Sequence, residues 1–168
     1  MRIYAASGSV IPKVFRKIAR LGLRALKRRK RVNGALLRLN AANPIDPALA
    51  HLIEIRASQI NGCAFCLDMH WKDAKALGET DERLYMIAAW REATCYSARE
   101  RAALALTEAV TLIADGGVPD DVWEQAEDEF DPEELGQVLF AISAINVWNR
   151  LNVTVQTEAG HYVPGMFG

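Results

Sequence analysis

Apolar side chains recur at intervals of three and four residues along almost the whole chain, and no segment alternates convincingly between apolar and polar residues. The first spacing gathers apolar side chains on one face of an α-helix, whereas alternation is typical of a β-strand. Residues 10–31, 47–60 and 63–77 carry such helical stripes. The pattern predicts an all-α protein, a bundle of six to eight helices.

Capping signals divide the second half of the chain into further helices. Ser97 with Glu100, and Asp131 with Glu134, have the spacing of capping boxes, in which each side chain bonds to the other residue's backbone N–H. The predicted helices are one that follows Thr80 and includes Trp90, one that reaches about residue 114, one that begins near Pro119, and one that reaches about residue 149. Residues 158–168 are punctuated by Gly and Pro and are predicted to lie on the surface as a tail.

Charge is distributed unevenly along the chain. Residues 1–45 contain twelve Lys or Arg residues and no Asp or Glu, while the remainder holds eight basic residues and all 21 acidic ones. This division predicts a basic helical N-terminal extension over residues 1–45 and a core domain over residues 46–168. The five consecutive basic residues 27–31 fit a solvated helix face, or a surface that docks on the acidic remainder, better than a nucleic-acid site.

Composition restricts where such a protein works. The chain is 51% hydrophobic and 24% charged, and no stretch approaches the roughly 20 consecutive apolar residues of a membrane span; we therefore expect no membrane partner. Its three cysteines are too few for a disulfide-stapled secreted scaffold, and the N-terminus lacks the pattern of a secretory signal. The sequence predicts a cytoplasmic protein, in which a close cysteine pair indicates redox chemistry or metal binding.

One short segment concentrates the reactive side chains. Cys63 and Cys66 are three residues apart and His70 follows four residues later, so all three groups lie on one helix face. The break at residues 61–62 places both cysteines in the first helical turn, where free backbone N–H groups and the helix dipole stabilise a thiolate. The pattern predicts a redox-active dithiol with an imidazole partner, provided that solvent reaches the sulfur atoms.

Two other interpretations of the cysteines remain open. They could be inert packing residues, or they could bind zinc together with His70 and either His51 or Cys95. A structural zinc site usually draws its second ligand pair from a separate loop, and no such pair is evident in this chain. We therefore expect neither a metal nor another cofactor.

Residues 58–70 resemble the core motif of the alkylhydroperoxidase D-like (carboxymuconolactone decarboxylase) family. The shared letters read Ser-Gln-Ile-Asn-Gly-Cys-Ala-Phe-Cys, followed by Asp-Met-His at residues 68–70. Similarity extends over roughly residues 46–155, including the segments 71–74, 90–92 and 145–150. The resemblance implies an all-helical fold and a trimer or hexamer.

The resemblance also implies an activity and roles for individual residues. Members with this cysteine pair reduce hydroperoxides through a reversible disulfide, and a protein or small dithiol restores the thiols. By position, Cys66 would attack the peroxide, Cys63 would be the resolving thiol and His70 the proton-handling partner. From the residues alone, the first cysteine of such a pair can equally be the one with the low pKa. Where the family has a relay glutamate, this chain has His51, and Glu54 lies one turn later on the same helix face.

Alternative functions remain. A redox adaptor or disulfide reductase would exchange electrons with a partner protein and consume little peroxide itself. A lactone decarboxylase of the same family would need no cysteine pair, and a zinc-stabilised interaction module would hold a stoichiometric metal ion. Cys95 is expected to be a small buried residue and His161 a solvated one.

Overall fold

The computed structural model describes residues 30–166, with side chains from residue 34 onward. The described part contains seven α-helices and no strand, which confirms the all-α prediction. The helices are α1 (Lys30–Ala42), α2 (Pro47–Asn61), α3 (Ala64–Ala76), α4 (Asp81–Met86), α5 (Ala98–Thr111), α6 (Asp120–Glu129) and α7 (Pro132–Val155). Short 3₁₀ turns follow α4 and α5, at Ile87–Ala89 and Ile113–Asp115.

Helix α2 is the centre of the bundle and packs against α3, α5 and α7. Asp46 caps its start, because the Asp46 carboxylate accepts a hydrogen bond from the backbone N–H of Leu49 at 2.9 Å. Pro47 is the first residue of the helix, a position where its missing N–H costs nothing. It ends at Gly62, which adopts a left-handed conformation with φ of 67°, a conformation that glycine adopts without strain. Because α3 restarts immediately, the reactive segment lies at the junction of two helices.

Two apolar clusters stabilise the bundle on either side of α2. One lies between α2, α5, α6 and α7 and is built around Ile53, Leu106 and Ile142, each with no exposed surface. The other joins α2 to α3, α4 and α5 around Ile55, Leu84 and Leu104. Burial of such aliphatic side chains contributes about 1.5–3 kcal/mol each. Helix α2 is thereby packed on two sides, and the reactive segment follows at its C-terminal end.

The capping boxes at Ser97–Glu100 and Asp131–Glu134 are both formed, but helix ends differ from the sequence prediction. The helix after Thr80 stops at Met86 instead of including Trp90. There, backbone carbonyls from residues 90, 91 and 93 accept hydrogen bonds from the guanidinium of Arg101, which replace helical bonds. Helix α5 ends at residue 111, and a 3₁₀ turn continues to residue 115.

Helix α7 runs six residues further than predicted, to Val155. It ends only where Gln156 takes a left-handed φ of 52° and its N–H bonds back to the last helical turn. By length and composition, with a mean hydropathy of 1.2, α7 could cross a membrane. In this fold it packs against α2, α5 and α6, and it carries buried Asn146 and Asn149. Of the apolar stretch, 28% is buried in the described structure, and its length and composition alone do not establish a membrane span.

The predicted helix over residues 10–31 lies outside the described residues, apart from its last two, which begin α1. Helix α1 therefore continues to residue 42, beyond the predicted end at residue 31. It contacts α7, and the chain then turns at residues 43–46, close to the expected join at residue 45. The division into an extension over residues 1–45 and a core over residues 46–168 stays a prediction.

The C-terminal segment lies on the surface, as expected, but it is anchored to α3. The backbone N–H groups of Gly160 and Tyr162 donate to the carboxylate of Asp68 at 2.9 and 3.3 Å. The hydroxyl of Tyr162 donates to Asp73 at 2.8 Å, and Lys72 donates to the Tyr162 carbonyl at 2.9 Å. The tail thus fastens the outer face of the helix that carries the cysteines.

Candidate active site

The two cysteines lie where α3 begins. Cys63 is the residue before the helix, and its sulfur accepts a hydrogen bond from the backbone N–H of Cys66 at 3.4 Å. The two sulfur atoms lie 2.6 Å apart and share a hydrogen bond, and both thiols are free. Since an S–S bond is about 2.05 Å long, the pair can close into a disulfide with little movement of the backbone.

The surroundings separate the two thiols electrostatically. The hydrogen bond from the Cys66 thiol, the Cys66 backbone N–H, the amide of Asn149 and the charge of His70 lower the pKa of Cys63 to about 6, although burial opposes this. The hydrogen bond with Cys63, burial and the Cys63 charge together raise the pKa of Cys66. At neutral pH the negative charge of the pair therefore rests on Cys63. This favours the first cysteine as the thiolate, the alternative to the role implied for Cys66 by resemblance.

Both sulfur atoms are shielded from solvent. Cys63 is 1% exposed and Cys66 has no exposed surface, so the accessible dithiol expected from the sequence is not present in this conformation. The pair packs against Ile145 of α7, with the half-buried rings of Phe65 and Trp148 at the edge of the cluster. A substrate can reach the sulfurs only when the surrounding side chains move.

A row of asparagines on α7 supports the cysteine pair, and sequence reasoning missed it. The buried Asn149 amide donates to the Ser58 hydroxyl at 3.0 Å, and its oxygen accepts from Asn61 at 2.9 Å. Asn152 donates to the sulfur of Cys66 at 3.6 Å. The signal was available, because asparagines at residues 146, 149 and 152 recur every three residues in the second half of a largely apolar helix.

His51, Glu54 and His70 form a second cluster, called here the histidine–glutamate triad. Glu54 Oε2 lies 2.9 Å from Nδ1 of His51 and 2.8 Å from Nδ1 of His70. His51 and Glu54 share one face of α2, and the packing of α3 on α2 brings in His70, which is buried. The structure thus brings together the three residues that the sequence offered for proton handling.

Charge holds the triad together. Burial acts to raise the pKa of Glu54, but the charge of His70, which lies against the carboxylate, and the hydrogen bond from His51 outweigh it and lower this pKa to about 2. For His51, burial opposes protonation, but the hydrogen bond and charge of Glu54, aided by Asp73, raise the pKa. Glu54 is therefore ionised at neutral pH, with two imidazoles beside it.

The triad opens to solvent at His51. A cleft of about 190 Å³ is lined by His51 and Glu79 and by the apolar or small residues Ala48, Leu52, Ala74, Leu77 and Gly78. From this cleft a chain of polar groups runs through Glu54 to His70, whose charge acts on Cys63. Among the described residues, no hydrogen bond joins His70 to either sulfur, so these polar contacts end at the His70 ring.

The remaining sequence candidates lie apart from this site. Cys95 is partly buried and packs at the edge of the apolar cluster around Leu84, and His161 is exposed as expected. Among residues 34–166, the group of possible metal ligands whose donor atoms lie within 4.8 Å of one another is the triad, and it includes no cysteine. The zinc site considered for the two cysteines therefore finds no support in this arrangement.

Known proteins resemble this chain in sequence. A model of the carboxymuconolactone decarboxylase family matches residues 24–109. The uncharacterized protein YdfG of Bacillus subtilis (strain 168) is 43% identical over 115 residues, which cover 68% of this chain and 78% of YdfG. The uncharacterized protein YnjA of Escherichia coli (strain K12) is 30% identical over 118 residues, which cover 70% of this chain and 64% of YnjA.

Solved structures show the same fold. A protein of unknown function from Agrobacterium tumefaciens, described as a candidate antioxidant defence protein AhpD, superimposes with a TM-score of 0.77 at 37% identity, over 81% of this chain and 95% of that one. An uncharacterized peroxidase-related protein from Silicibacter sp. TM1040 has a TM-score of 0.68 at 17% identity, over 76% and 70%, a likeness of fold alone. The family match over half of the chain and the 43% identity to YdfG show that this chain belongs to the carboxymuconolactone decarboxylase family.

Proposed function

We propose that this protein is a thiol-dependent peroxidase that reduces alkyl hydroperoxides through a reversible Cys63–Cys66 disulfide. The observation that carries the proposal is the pair of free thiols 2.6 Å apart, in surroundings that lower the pKa of Cys63 to about 6. A thiolate beside a second thiol is the arrangement that peroxide reduction needs. The antioxidant description of the Agrobacterium relative supports the same chemistry.

The reaction begins at Cys63 in this proposal. Its thiolate attacks an oxygen of the hydroperoxide, the O–O bond breaks, and Cys63 is oxidised to a sulfenic acid. The alkoxide leaves as an alcohol after taking a proton from His70, which is replenished from solvent through Glu54 and His51. The roles of the two cysteines are therefore exchanged relative to those implied by resemblance.

The second step closes the disulfide. The Cys66 sulfur attacks the Cys63 sulfur, the S–S bond forms, and the hydroxyl group leaves with the Cys66 proton as water. An external dithiol, either a protein or a small molecule, reduces the disulfide in two exchange steps and becomes a disulfide itself. We place this cycle in the cytoplasm, where such reductants are abundant, and in a homo-oligomer, a trimer or hexamer.

Peroxide consumption with dithiothreitol as reductant tests the proposal. Cys63→Ser should reduce turnover to the uncatalysed rate, and Cys66→Ser should lower it strongly, because the sulfenic acid must then be reduced directly by dithiothreitol. Cys95→Ser, which removes the third cysteine, should leave turnover unchanged. Full activity in both single variants would show that the pair does not carry the reaction. A wild-type protein that exchanges disulfides rapidly but consumes no peroxide would instead be a disulfide reductase or redox adaptor.

Trapping the sulfenic acid identifies the attacking sulfur. Under peroxide, a dimedone adduct should form on Cys63 in the Cys66→Ser variant, because the resolving thiol is missing and the sulfenic acid persists. No adduct should form on Cys66 in the Cys63→Ser variant. The reverse distribution would restore the roles implied by resemblance.

A further inference from the structure

We propose that the histidine–glutamate triad is also a metal site, which binds a divalent first-row transition ion of the Fe²⁺ to Zn²⁺ series. One imidazole nitrogen from each of His51 and His70 and one carboxylate oxygen of Glu54 would be the ligands. The proposal uses the same three side chains as the proposed proton route, but it does not depend on thiol chemistry.

The donor atoms are already close to the spacing that a metal ion requires. All three lie within 4.8 Å of one another, and the two nitrogen–oxygen separations are 2.9 and 2.8 Å. With metal–ligand bonds of about 2.0–2.2 Å, two ligands at right angles lie about 3 Å apart. Two of the three separations therefore fit without rearrangement of the backbone.

His70 provides the independent observation. Its side chain is 8% exposed, and neither ring nitrogen has a hydrogen-bond partner among the described residues, even though Nδ1 lies 2.8 Å from Glu54. The ring is thus close to the carboxylate without being aimed at it in hydrogen-bond geometry. A buried polar group without a partner costs free energy, and an ion placed between the imidazoles and the carboxylate would satisfy it.

The kinds of donor select the class of ion. Two imidazoles and one carboxylate occur together in zinc enzymes and in non-haem iron sites, whereas Ca²⁺ and Mg²⁺ prefer sites built from oxygen donors. The Glu54 carboxylate provides one negative charge inside the site, and the Cys63 thiolate adds another nearby. Both negative charges favour a cation in this position once the two imidazoles have lost their protons, as metal binding requires.

An ion can reach the triad from solvent. His51 lines the cleft of about 190 Å³, and Glu79 lies on its wall. The cleft leaves room on the His51 side for water molecules to complete the coordination of the ion. A bound ion would occupy the nitrogens that the proposed proton route needs. Metal binding and proton transfer through the triad therefore exclude each other.

Cobalt binding tests the site directly. We would measure Co²⁺ binding to the untagged full chain carrying Cys63→Ser and Cys66→Ser, by equilibrium dialysis and visible absorption. We expect one Co²⁺ per chain, with visible ligand-field bands, and competition by Zn²⁺. In the chain with intact cysteines, the spectrum should show no sulfur-to-cobalt charge-transfer band.

Matched histidine variants locate the ion. His51→Ala should weaken binding by about tenfold or more, since loss of supporting residues alone costs 10- to 100-fold, whereas His161→Ala, which removes the exposed histidine of the tail, should leave binding unchanged. Glu54→Gln decides the question if circular dichroism shows that His51→Ala is unfolded. Absence of stoichiometric binding, or equal binding in the folded triad variant, overturns the site.

The outcomes separate this site from the proposed function. Absence of cobalt binding by the wild-type chain, with intact peroxide turnover, would refute the metal site alone. Peroxide turnover that survives both cysteine substitutions, with cobalt still bound at the triad, would refute the peroxidase mechanism alone.

Discussion

The backbone N–H of Cys66 donates a hydrogen bond to the sulfur of Cys63 at 3.4 Å, so that Cys63 caps the helix in which Cys66 lies. An unpaired N–H at a helix start stabilises negative charge, and the cap residue is therefore favoured as the thiolate. The thiolate charge and the capping of the helix are coupled, because the Cys63 sulfur carries the charge and also accepts the capping hydrogen bond.

This coupling predicts the pH dependence of Cys63. Its thiolate fraction should rise with pH through a midpoint near 6, since the pKa is lowered to about 6 by the Cys66 thiol first and then by the backbone and Asn149. In Cys66→Ala the largest of these causes is lost, and the midpoint should move upward. Thiolate ultraviolet absorbance, recorded in a Cys95→Ser background with a chelator present, measures both midpoints. An unshifted midpoint in Cys66→Ala would contradict the shared hydrogen bond.

A second prediction concerns Asn149 as a positioning residue. Asn149→Ala should raise the pKa of Cys63 and lower the free energy of unfolding by roughly 1–3 kcal/mol, because the buried Ser58 hydroxyl loses its hydrogen bond from Asn149 and Asn61 keeps only its bond to Asn146. Asn152→Ala is the matched control on the same helix, since the Asn152 amide donates to the sulfur of Cys66 and to the Trp148 carbonyl and accepts from Thr157. Thiolate titration and urea unfolding measure the two effects. If both variants shift the Cys63 midpoint equally, Asn149 has no special part in holding the charge.

A third prediction concerns Glu54, which lies between the two histidines. Glu54→Gln keeps the shape of the side chain but removes the charge, so proton delivery to the leaving alkoxide should slow and kcat should fall by about 10²-fold. The control is Glu108→Gln on α5, which removes a carboxylate paired with Arg56 and Trp90, away from the cysteines. We expect Glu108→Gln to lower stability while leaving the pH profile of kcat unchanged. Steady-state kinetics over pH 5–9 in the presence of a chelator distinguish the two variants.

Much of the fold could be predicted because its signals are local. The capping boxes at Ser97 and Asp131 depend on residues three apart, and both form where the sequence places them. The end of α4 could not be predicted in this way, because it depends on Arg101, which binds carbonyls some ten residues earlier in the chain. Helix α7 overran its predicted end because the residues after Asn149 include no glycine or proline before Gly160.

In the candidate site, too, the local features could be predicted and the features that depend on distant residues could not. The spacing of Cys63, Cys66 and His70 was sufficient to place them at one helix start, and His51 with Glu54 on one face of the preceding helix. Which sulfur holds the charge, and how deeply both are buried, depends on α7, which lies some 80 residues later. No local pattern around the cysteines reports these contacts.

The burial of the sulfurs leads to a last prediction, about access. Trp148 is half-buried and packs at the edge of the cysteine cluster, so Trp148→Ala should open a path to the pair. We expect the rate with bulky cumene hydroperoxide to rise relative to the rate with hydrogen peroxide, because a small substrate needs less side-chain movement than a large one. Val147→Ala is the control, since Val147 is the preceding residue of α7 and is 42% exposed. Stopped-flow measurement of sulfenic acid or disulfide formation with both peroxides gives the ratio. An unchanged ratio in Trp148→Ala would mean that substrate enters elsewhere, and the half-buried ring of Phe65, at the same edge, would be the next residue to test.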